Sequence, residues 1–443
     1  MTFNDLNLNK PLLNALEDLG LSTPTTIQAK AFSVIMAGKD VCGLAQTGTG
    51  KTFAYLLPCL RQYQFAKKKT PQLLIIVPTR ELVVQVIEQI EKLSKYMSLV
   101  AVGVYGGVNL KPQAAQVMEG ADVLVGTPGR LNDLLLLGAF KGQSIKKLII
   151  DEFDEMLNLG FRAQLKNIFD ALPERRQNLL FSATLTEEVS DLIDDYFPAL
   201  VRIEAAPMGT PLSNIDQSRY SVPNFYSKMN LLRLLLLNNP EMNKVLVFTS
   251  TKSLADRIFE SLDEEWSLKV QVIHSNKSQP ARFAAVNAFQ AGECRVLIAT
   301  DVIARGLDVS EVSHVFNFDM PDTAENYIHR IGRTGRVDKK GISISFVTPK
   351  EMELLAATEE LMNFSIPELP LPEDLVLSEQ LLPEEQPQIN MKTIVVKTTQ
   401  KKNVGAAFHE KSDKNKKVNV KRDYQAEMKK KYGKQWENRK KKK

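Results

Sequence analysis

Three cysteines in 443 residues, Cys42, Cys59 and Cys294, are too few and too unevenly placed for a disulfide framework or a thiolate metal site. They read as buried or incidental thiols of a reducing compartment. No uninterrupted apolar run approaches the ~18 residues that argue for a membrane span. The opening residues, MTFNDLNLNK, lack the charged start, apolar stretch and small-residue cleavage site of a leader. A soluble, cytoplasmic chain with no membrane partner is expected. What is present is ample. With 44% hydrophobic and 25% charged residues the chain can build packed cores, and its length suits two or three domains.

The net charge of +5 conceals an asymmetry. Residues 391–443 hold 19 Lys/Arg against 5 Asp/Glu, a net of +14, while residues 1–390 hold 38 against 47, a net of −9. A basic end of this kind is either a solubilising segment or an electrostatic grip on nucleic acid. Phe408, Tyr424, Tyr432 and Trp436 interleave with its lysines, and such rings can stack on unpaired bases.

Apolar β-rich runs alternate with amphipathic stretches through residues 1–205. Strands are expected at Val41–Ala45, Leu73–Val77, Leu99–Val104, Asp122–Val125, Lys147–Ile150 and Leu179–Ser182, with helices such as Glu81–Tyr96 and Arg162–Leu172 between them. Buried strands alternating with helices predict a parallel sheet covered on both faces, an α/β fold. Residues 206–217, with Pro207, Gly209 and Pro211, read as a linker. The rhythm restarts over 218–366, with strands expected at Val245–Thr249, Val270–His274, Val296–Thr300, Val315–Phe318 and Ile342–Val347. Residues 367–390, rich in proline and carboxylates, read as an extended acidic connector to the basic segment 391–443.

The strongest local signal is Ala45-Gln46-Thr47-Gly48-Thr49-Gly50-Lys51-Thr52, directly after one expected strand and opening an expected helix. Glycines let the backbone wrap phosphates, and free amides at a helix start attract negative charge. Lys51 can reach the β/γ-phosphates of ATP, and the Thr52 hydroxyl can join a Mg²⁺ shell. Asp151-Glu152-Phe153-Asp154 follows another core strand. Ligands gather at the carboxyl ends of strands in open parallel sheets, so Asp151 is placed to hold Mg²⁺ and Glu152 to orient or deprotonate the attacking water. In the second half, His329-Arg330-Ile331-Gly332-Arg333-Thr334-Gly335-Arg336 spaces three arginines by three. A guanidinium held there could neutralise charge on a transferring phosphoryl group; a surface arginine loop or a plain anion site is the alternative.

These motifs, in this order, resemble those of the DEAD-box RNA helicases of superfamily two, over about Phe3 to Val347. Pro24–Gln28 resembles the family's Q motif, with Phe3 upstream as its isolated aromatic. Asp151–Asp154, Ser182-Ala183-Thr184, Ala299–Asp308 and His329–Arg336 match later signatures. Pro78–Leu82, Gly106-Gly107 and Thr127–Arg130 are similar to the RNA-facing motifs. The lack of long insertions and the basic tail resemble the bacterial RhlE-like branch.

The resemblance implies two tandem RecA-like domains that bind ATP, Mg²⁺ and RNA across their cleft. Gln28 would then read adenine, with Phe3 stacking on it, and Asp308 would contact the ribose. Arg333 and Arg336 would be finger arginines. Asp154, Ser182, Thr184 and His329 would couple hydrolysis to the arrangement of the lobes. Arg80, Gly107, Thr127 and Arg130 would touch RNA from the first lobe, and Thr249, Gln279, Arg282, Thr300 and Arg305 from the second. The implied activity is ATP-dependent local unwinding of RNA duplexes or remodelling of RNA–protein particles. Ribosomal particles or RNA-degradation machinery would be candidate partners, and the tail would tether RNA. Rival readings are an ATP-dependent RNA clamp without productive unwinding and a DNA helicase or translocase. The chain departs from the family pattern at Phe153, where alanine is usual, at Leu21, where an aromatic commonly stands, and over His274–Gln279, which often carries glycine.

Overall fold

Two α/β lobes follow one another along the chain. The structure is a computed structural model of the full chain. It describes residues 1–45, 48–64, 70–185, 187–204, 214–263, 269–301, 312–335, 340–386, 426–427 and 430–431. Residues Met1–Gln386 form one compact unit and Pro387–Lys443 another. Among the described residues no helix is long and apolar enough to cross a membrane.

The first lobe is built on a seven-stranded sheet: β1 Val41–Leu44, β2 Leu73–Ile76, β3 Ala101–Val104, β4 Val123–Gly126, β5 Lys147–Asp151, β6 Gln177–Ser182 and β7 Val201–Glu204. Its order is β3-β4-β2-β5-β6-β1-β7, and every pairing is parallel. Strands β1, β2, β4 and β5 are buried along almost their whole length, as a sheet covered on both faces requires. One core lies under α1 Lys10–Asp18, α2 Thr26–Met36, α3 Lys51–Arg61 and α4 Arg80–Leu93. The other lies under α5 Leu110–Glu119, α6 Pro128–Leu136, α7 Phe153–Asn158, α8 Arg162–Ala171 and α9 Glu187–Tyr196.

The second lobe has a six-stranded parallel sheet of order β10-β11-β9-β12-β13-β8. Its strands are β8 Ile215–Ser221, β9 Val245–Thr249, β10 Val270–Ile273, β11 Val296–Thr300, β12 His314–Asn317 and β13 Gly341–Val347. Helices α10 Phe225–Asn238, α11 Lys252–Asp263, α12 Gln279–Gln290, α13 Ala324–Ile331 and α14 Met352–Met362 complete it. The architecture is the expected pair of parallel-sheet domains. Two strands had no counterpart in the sequence reading. β7 is largely exposed, which removes the apolar run, and β8 alternates buried and exposed residues at the sheet edge beside β13.

Residues 367–386 run along the second lobe in contact with it. Arg219 forms an ion pair with Glu368 at 2.7 Å, and the Phe225 backbone N–H donates to Glu385 Oε1 at 2.7 Å. The Ser378 N–H donates to Ser227 Oγ at 3.0 Å, and Leu382 is buried in the core beneath α10. The apolar residues Leu371, Leu375 and Leu382, spaced among carboxylates, supply the reason: each finds a hydrophobic seat while Glu373, Asp374, Glu379 and Glu384 stay exposed.

Candidate active site

The sheet order assembles the site. Strands β5, β6 and β1 are adjacent, so the segments leaving their carboxyl ends converge. After β1 comes the phosphate-loop sequence, after β5 Asp151 and Glu152, and after β6 Ser182 and Thr184. Gln46 and Thr47 lie outside the described residues, as do Arg305, Asp308 and Arg336. Gly48 and Gly50 have φ of 82° and 87°, a region open chiefly to glycine. A side chain at Gly50 would also collide with Gln28. Lys51 opens α3, and its Nζ is buried with no hydrogen-bond partner among the described residues.

Two groups face that ammonium. Burial pushes the Asp151 carboxyl above its usual range, opposed chiefly by Lys51. Asp151 Oδ2 accepts from Tyr55 Oη at 3.0 Å and Oδ1 from the Glu152 N–H at 3.0 Å. Burial pushes Glu152 up to about 7, against the downward pull of Lys51 and then of Arg333. Glu152 Oε2 is buried without a partner. Its backbone is left-handed, φ 54° and ψ 54°, at the N-cap of α7. Such a conformation in a non-glycine residue costs ~1–3 kcal/mol and concentrates at functional sites.

The influence of Arg333 on Glu152 crosses from the second lobe to the first. Arg333 is buried just after α13, with its Nε donating to the His329 carbonyl at 3.4 Å. His329 is buried in the last turn of α13. Arg330, in the same segment, is an anchor: it donates to Asp301 Oδ2 at 2.8 Å and to the Asp319 carbonyl at 2.6 Å, under the ring of Phe248.

Gln28 ties the start of α2 to the phosphate loop. Its Oε1 accepts from the Thr25 N–H at 2.9 Å, closing a capping box on α2, and its Nε2 donates to the Gly50 carbonyl at 3.1 Å. The Phe3 ring is packed into the first core, 4% exposed, leaving little of its face for a base. Asp154, Ser182 and Thr184 form a closed set. Asp154 Oδ2 accepts from the Thr184 N–H at 2.8 Å and from its hydroxyl at 2.7 Å, and the Asp154 N–H donates to Ser182 Oγ at 3.3 Å. The Phe153 ring points the other way, fully buried in the core under α7 and α8.

A second cluster crosses between the lobes. Thr79 caps α4, its hydroxyl accepting from the Leu82 N–H at 3.3 Å, and this fixes Arg80 and Glu81 on the first turn. Glu81 forms a buried ion pair with Arg282 and accepts from Gln279 Nε2 at 3.0 Å. Arg80 donates to Gln279 Oε1 at 3.2 Å and lies so close over Gly107 that a side chain there would overlap its guanidinium. Glu81 is the member of this cluster that the motif reading left without a role. Arg130 is also turned inward, donating to Gln113 and to the Val108 carbonyl. Thr127, at the N-cap of α6, is buried. Thr249 is buried and donates to Asp319 Oδ2 at 2.9 Å, and Thr300 lies beside it in register on β11. Asp319 is itself held by Lys228 of α10.

A phosphate loop, a carboxylate pair and an arginine supplied by a second parallel-sheet lobe define a two-lobed RecA-like nucleotide hydrolase. The chain matches the DEAD/DEAH box helicase family over residues 25–192 and the helicase conserved C-terminal domain over 227–338. It is 40% identical to the DEAD-box ATP-dependent RNA helicase RhpA of Helicobacter pylori, over 81% of this chain and 72% of that protein. With CshA of Geobacillus kaustophilus, another DEAD-box ATP-dependent RNA helicase, it shares 38% identity over 79% of this chain and 74% of that one. The chain therefore belongs to the DEAD-box ATP-dependent RNA helicase family.

Among solved structures, Saccharomyces cerevisiae Dbp5 bound to RNA and ADP BeF3 superimposes with a TM-score of 0.77 at 29% identity, covering 84% of this chain and 96% of that one. A DEAD box protein from Methanococcus jannaschii is more similar in sequence, 35% identical over 84% of this chain and 99% of that one, yet scores 0.51.

Proposed function

We propose that this protein couples binding and hydrolysis of ATP–Mg²⁺ to local opening of RNA duplexes or remodelling of RNA–protein particles. The observation that carries this reading is the electrostatic pull of Arg333 on Glu152, exerted although the two come from different lobes. A site completed by both lobes makes hydrolysis conditional on their closure. The pocket suits the nucleotide: Lys51 Nζ and Glu152 Oε2 are buried polar atoms lacking partners, next to the free amides that open α3. Asp151 is the carboxylate for Mg²⁺, with Thr52 beside it; one carboxylate suffices when phosphates and waters fill the remaining positions. Bound Mg²⁺ would neutralise charge on the phosphates.

The chain's own residues then divide the work. The Gly50 region and Lys51 orient the phosphates, together with the flanking Ala45–Thr49. Glu152, pushed to about 7 by burial, accepts the proton of the attacking water. Arg333 answers the charge that develops on the γ-phosphoryl group, with Arg336 as its companion. Gln28 reads adenine with the donor and acceptor capacity left after its two contacts, and Asp308 takes the ribose. Asp154, Ser182 and Thr184 with His329 carry the state of the site to the lobe interface.

RNA would run over Arg80, Gly107, Thr127 and Arg130 of the first lobe and Gln279, Arg282, Thr249, Thr300 and Arg305 of the second. The Arg80–Glu81–Gln279–Arg282 cluster holds both halves of that groove in one arrangement. The lobe placement shared with Dbp5 bound to RNA and ADP BeF3 supports this path. Residues 1–205 form the ATP-binding domain and 218–366 the second helicase domain; of the expected linker 206–217, Ile215–Gln217 already belong to β8 of that second domain, 367–390 is a connector whose residues up to 386 pack on it, and 391–443 is an RNA tether. Compact lobes with a basic tail favour an RhlE-like assignment, cytoplasmic work, and ribosomal particles or RNA-degradation machinery as partners.

The test is an ATPase assay with RNA or DNA beside a strand-displacement assay on a short RNA duplex. RNA-selective stimulation with ATP-dependent displacement is expected. Stimulation without displacement would identify a clamp, and equal stimulation by DNA would remove the RNA assignment.

A further inference from the structure

Tyr55 stands in α3, one helical turn after Thr52, so their side chains share a face. The residue is completely buried, and its ring packs on Phe181 of β6 with centroids 5.3 Å apart. Its hydroxyl donates to Asp151 Oδ2 at 3.0 Å. Asp151 is the carboxylate to which Mg²⁺ is assigned above, and Thr52 lies one turn away on the helix face that Tyr55 shares.

The chemistry of this contact suits a carboxylate that holds a cation. The carboxylate of Asp151 has one oxygen engaged by the Glu152 N–H and the other by Tyr55, which fixes its plane while leaving lone pairs for a metal-bound water. A phenylalanine would fill the same space and leave Asp151 without this donor.

We propose that Tyr55 is a positioning residue of the nucleotide site, orienting Asp151 for Mg²⁺ through its hydroxyl. This rests on the assignment of Asp151 to Mg²⁺, and the experiment separates the two claims. Binding of a fluorescent ATP analogue to the full chain is titrated against free Mg²⁺ for the wild type, Tyr55→Phe, Asp151→Asn and the double variant. Thermal melts without nucleotide check the fold. Tyr55→Met, of similar bulk and without a hydroxyl, replaces Tyr55→Phe if that variant melts early.

Loss of a hydrogen-bond partner of a metal-holding group typically weakens metal affinity ~10–100-fold, so Tyr55→Phe is expected to raise the Mg²⁺ concentration for half-maximal binding about tenfold. Nucleotide binding without Mg²⁺ should stay unchanged, and the double variant should be no worse than Asp151→Asn alone. If Asp151→Asn shifts the titration and Tyr55→Phe superimposes on the wild type, the role of Tyr55 is overturned while the site stands. Additive effects in the double variant would also overturn it, because Tyr55 would then act independently of Asp151. A titration unmoved by Asp151→Asn would remove the Mg²⁺ assignment itself, and with it the inference.

Discussion

Glu152 combines three features at one residue: a left-handed backbone, a carboxyl oxygen without a partner, and a pKa lifted by burial to about 7. A carboxylate whose role were only to pair with Lys51 would need none of the three. Glu152→Gln keeps the shape and removes the base. It is expected to bind ATP and RNA near wild-type affinity while hydrolysis falls ~10²–10⁴-fold, the usual worth of general-base catalysis. Equal steady-state rates for variant and wild type would remove the assigned role. Much of this site was legible in the sequence, because the phosphate loop and the Asp151–Asp154 segment carry their chemistry in contiguous residues. What was not legible depends on contacts between distant segments. Tyr55 reads as one more apolar position of α3 until β5 brings Asp151 against it, and Glu81 reads as a surface acid until α12 supplies Arg282 and Gln279. Arg330 sits inside a recognised motif, but only the fold shows it as the buried anchor on Asp301.

Among the elements, α7 shows what the bulk at Phe153 does. The ring fills the core beneath α7 and α8 with Met156, Leu165 and Ile168. Replacing it by the usual alanine should destabilise the first lobe by ~3–5 kcal/mol in chemical denaturation, the cost of emptying such a volume. A neutral substitution would show that the ring is not part of the core. The segment 367–386 makes a parallel case. Its composition reads as an extended connector, and prolines with carboxylates do prevent regular structure. Three leucines and the side chain of Glu385 nevertheless attach it to α10 and β8. A chain ending at residue 366 should therefore melt several degrees below one ending at 386, as loss of ~1–2 kcal/mol of burial and hydrogen bonding implies for a lobe of this size. Matching melts would leave the segment a passive linker. The central strands were readable from apolar runs. The edge strands β7 and β8 were not, because an edge needs fewer buried residues and so carries a weaker pattern.

At the scale of the whole molecule, charge and chemistry are separated along the chain: residues 391–443 carry the net +14, and the described nucleotide site lies wholly before them. Deleting the tail should leave maximal RNA-stimulated turnover intact, weaken RNA binding, and flatten the slope of log affinity against log salt, because fewer phosphates are neutralised. RNA titrations of the full chain and of residues 1–386 at two salt concentrations check this; superimposable curves would leave the tail without an RNA role. The central claim is that hydrolysis needs both lobes, with Arg333 of the second completing the site of the first. Its most direct test is steady-state ATP hydrolysis by the wild type and Arg333→Ala, each with and without saturating RNA, alongside their affinities for ATP. RNA-stimulated turnover is expected in the wild type and a loss of ~10³-fold or more in the variant, the scale of a finger arginine, with ATP affinity little changed. RNA-stimulated hydrolysis by Arg333→Ala at the wild-type rate would contradict it.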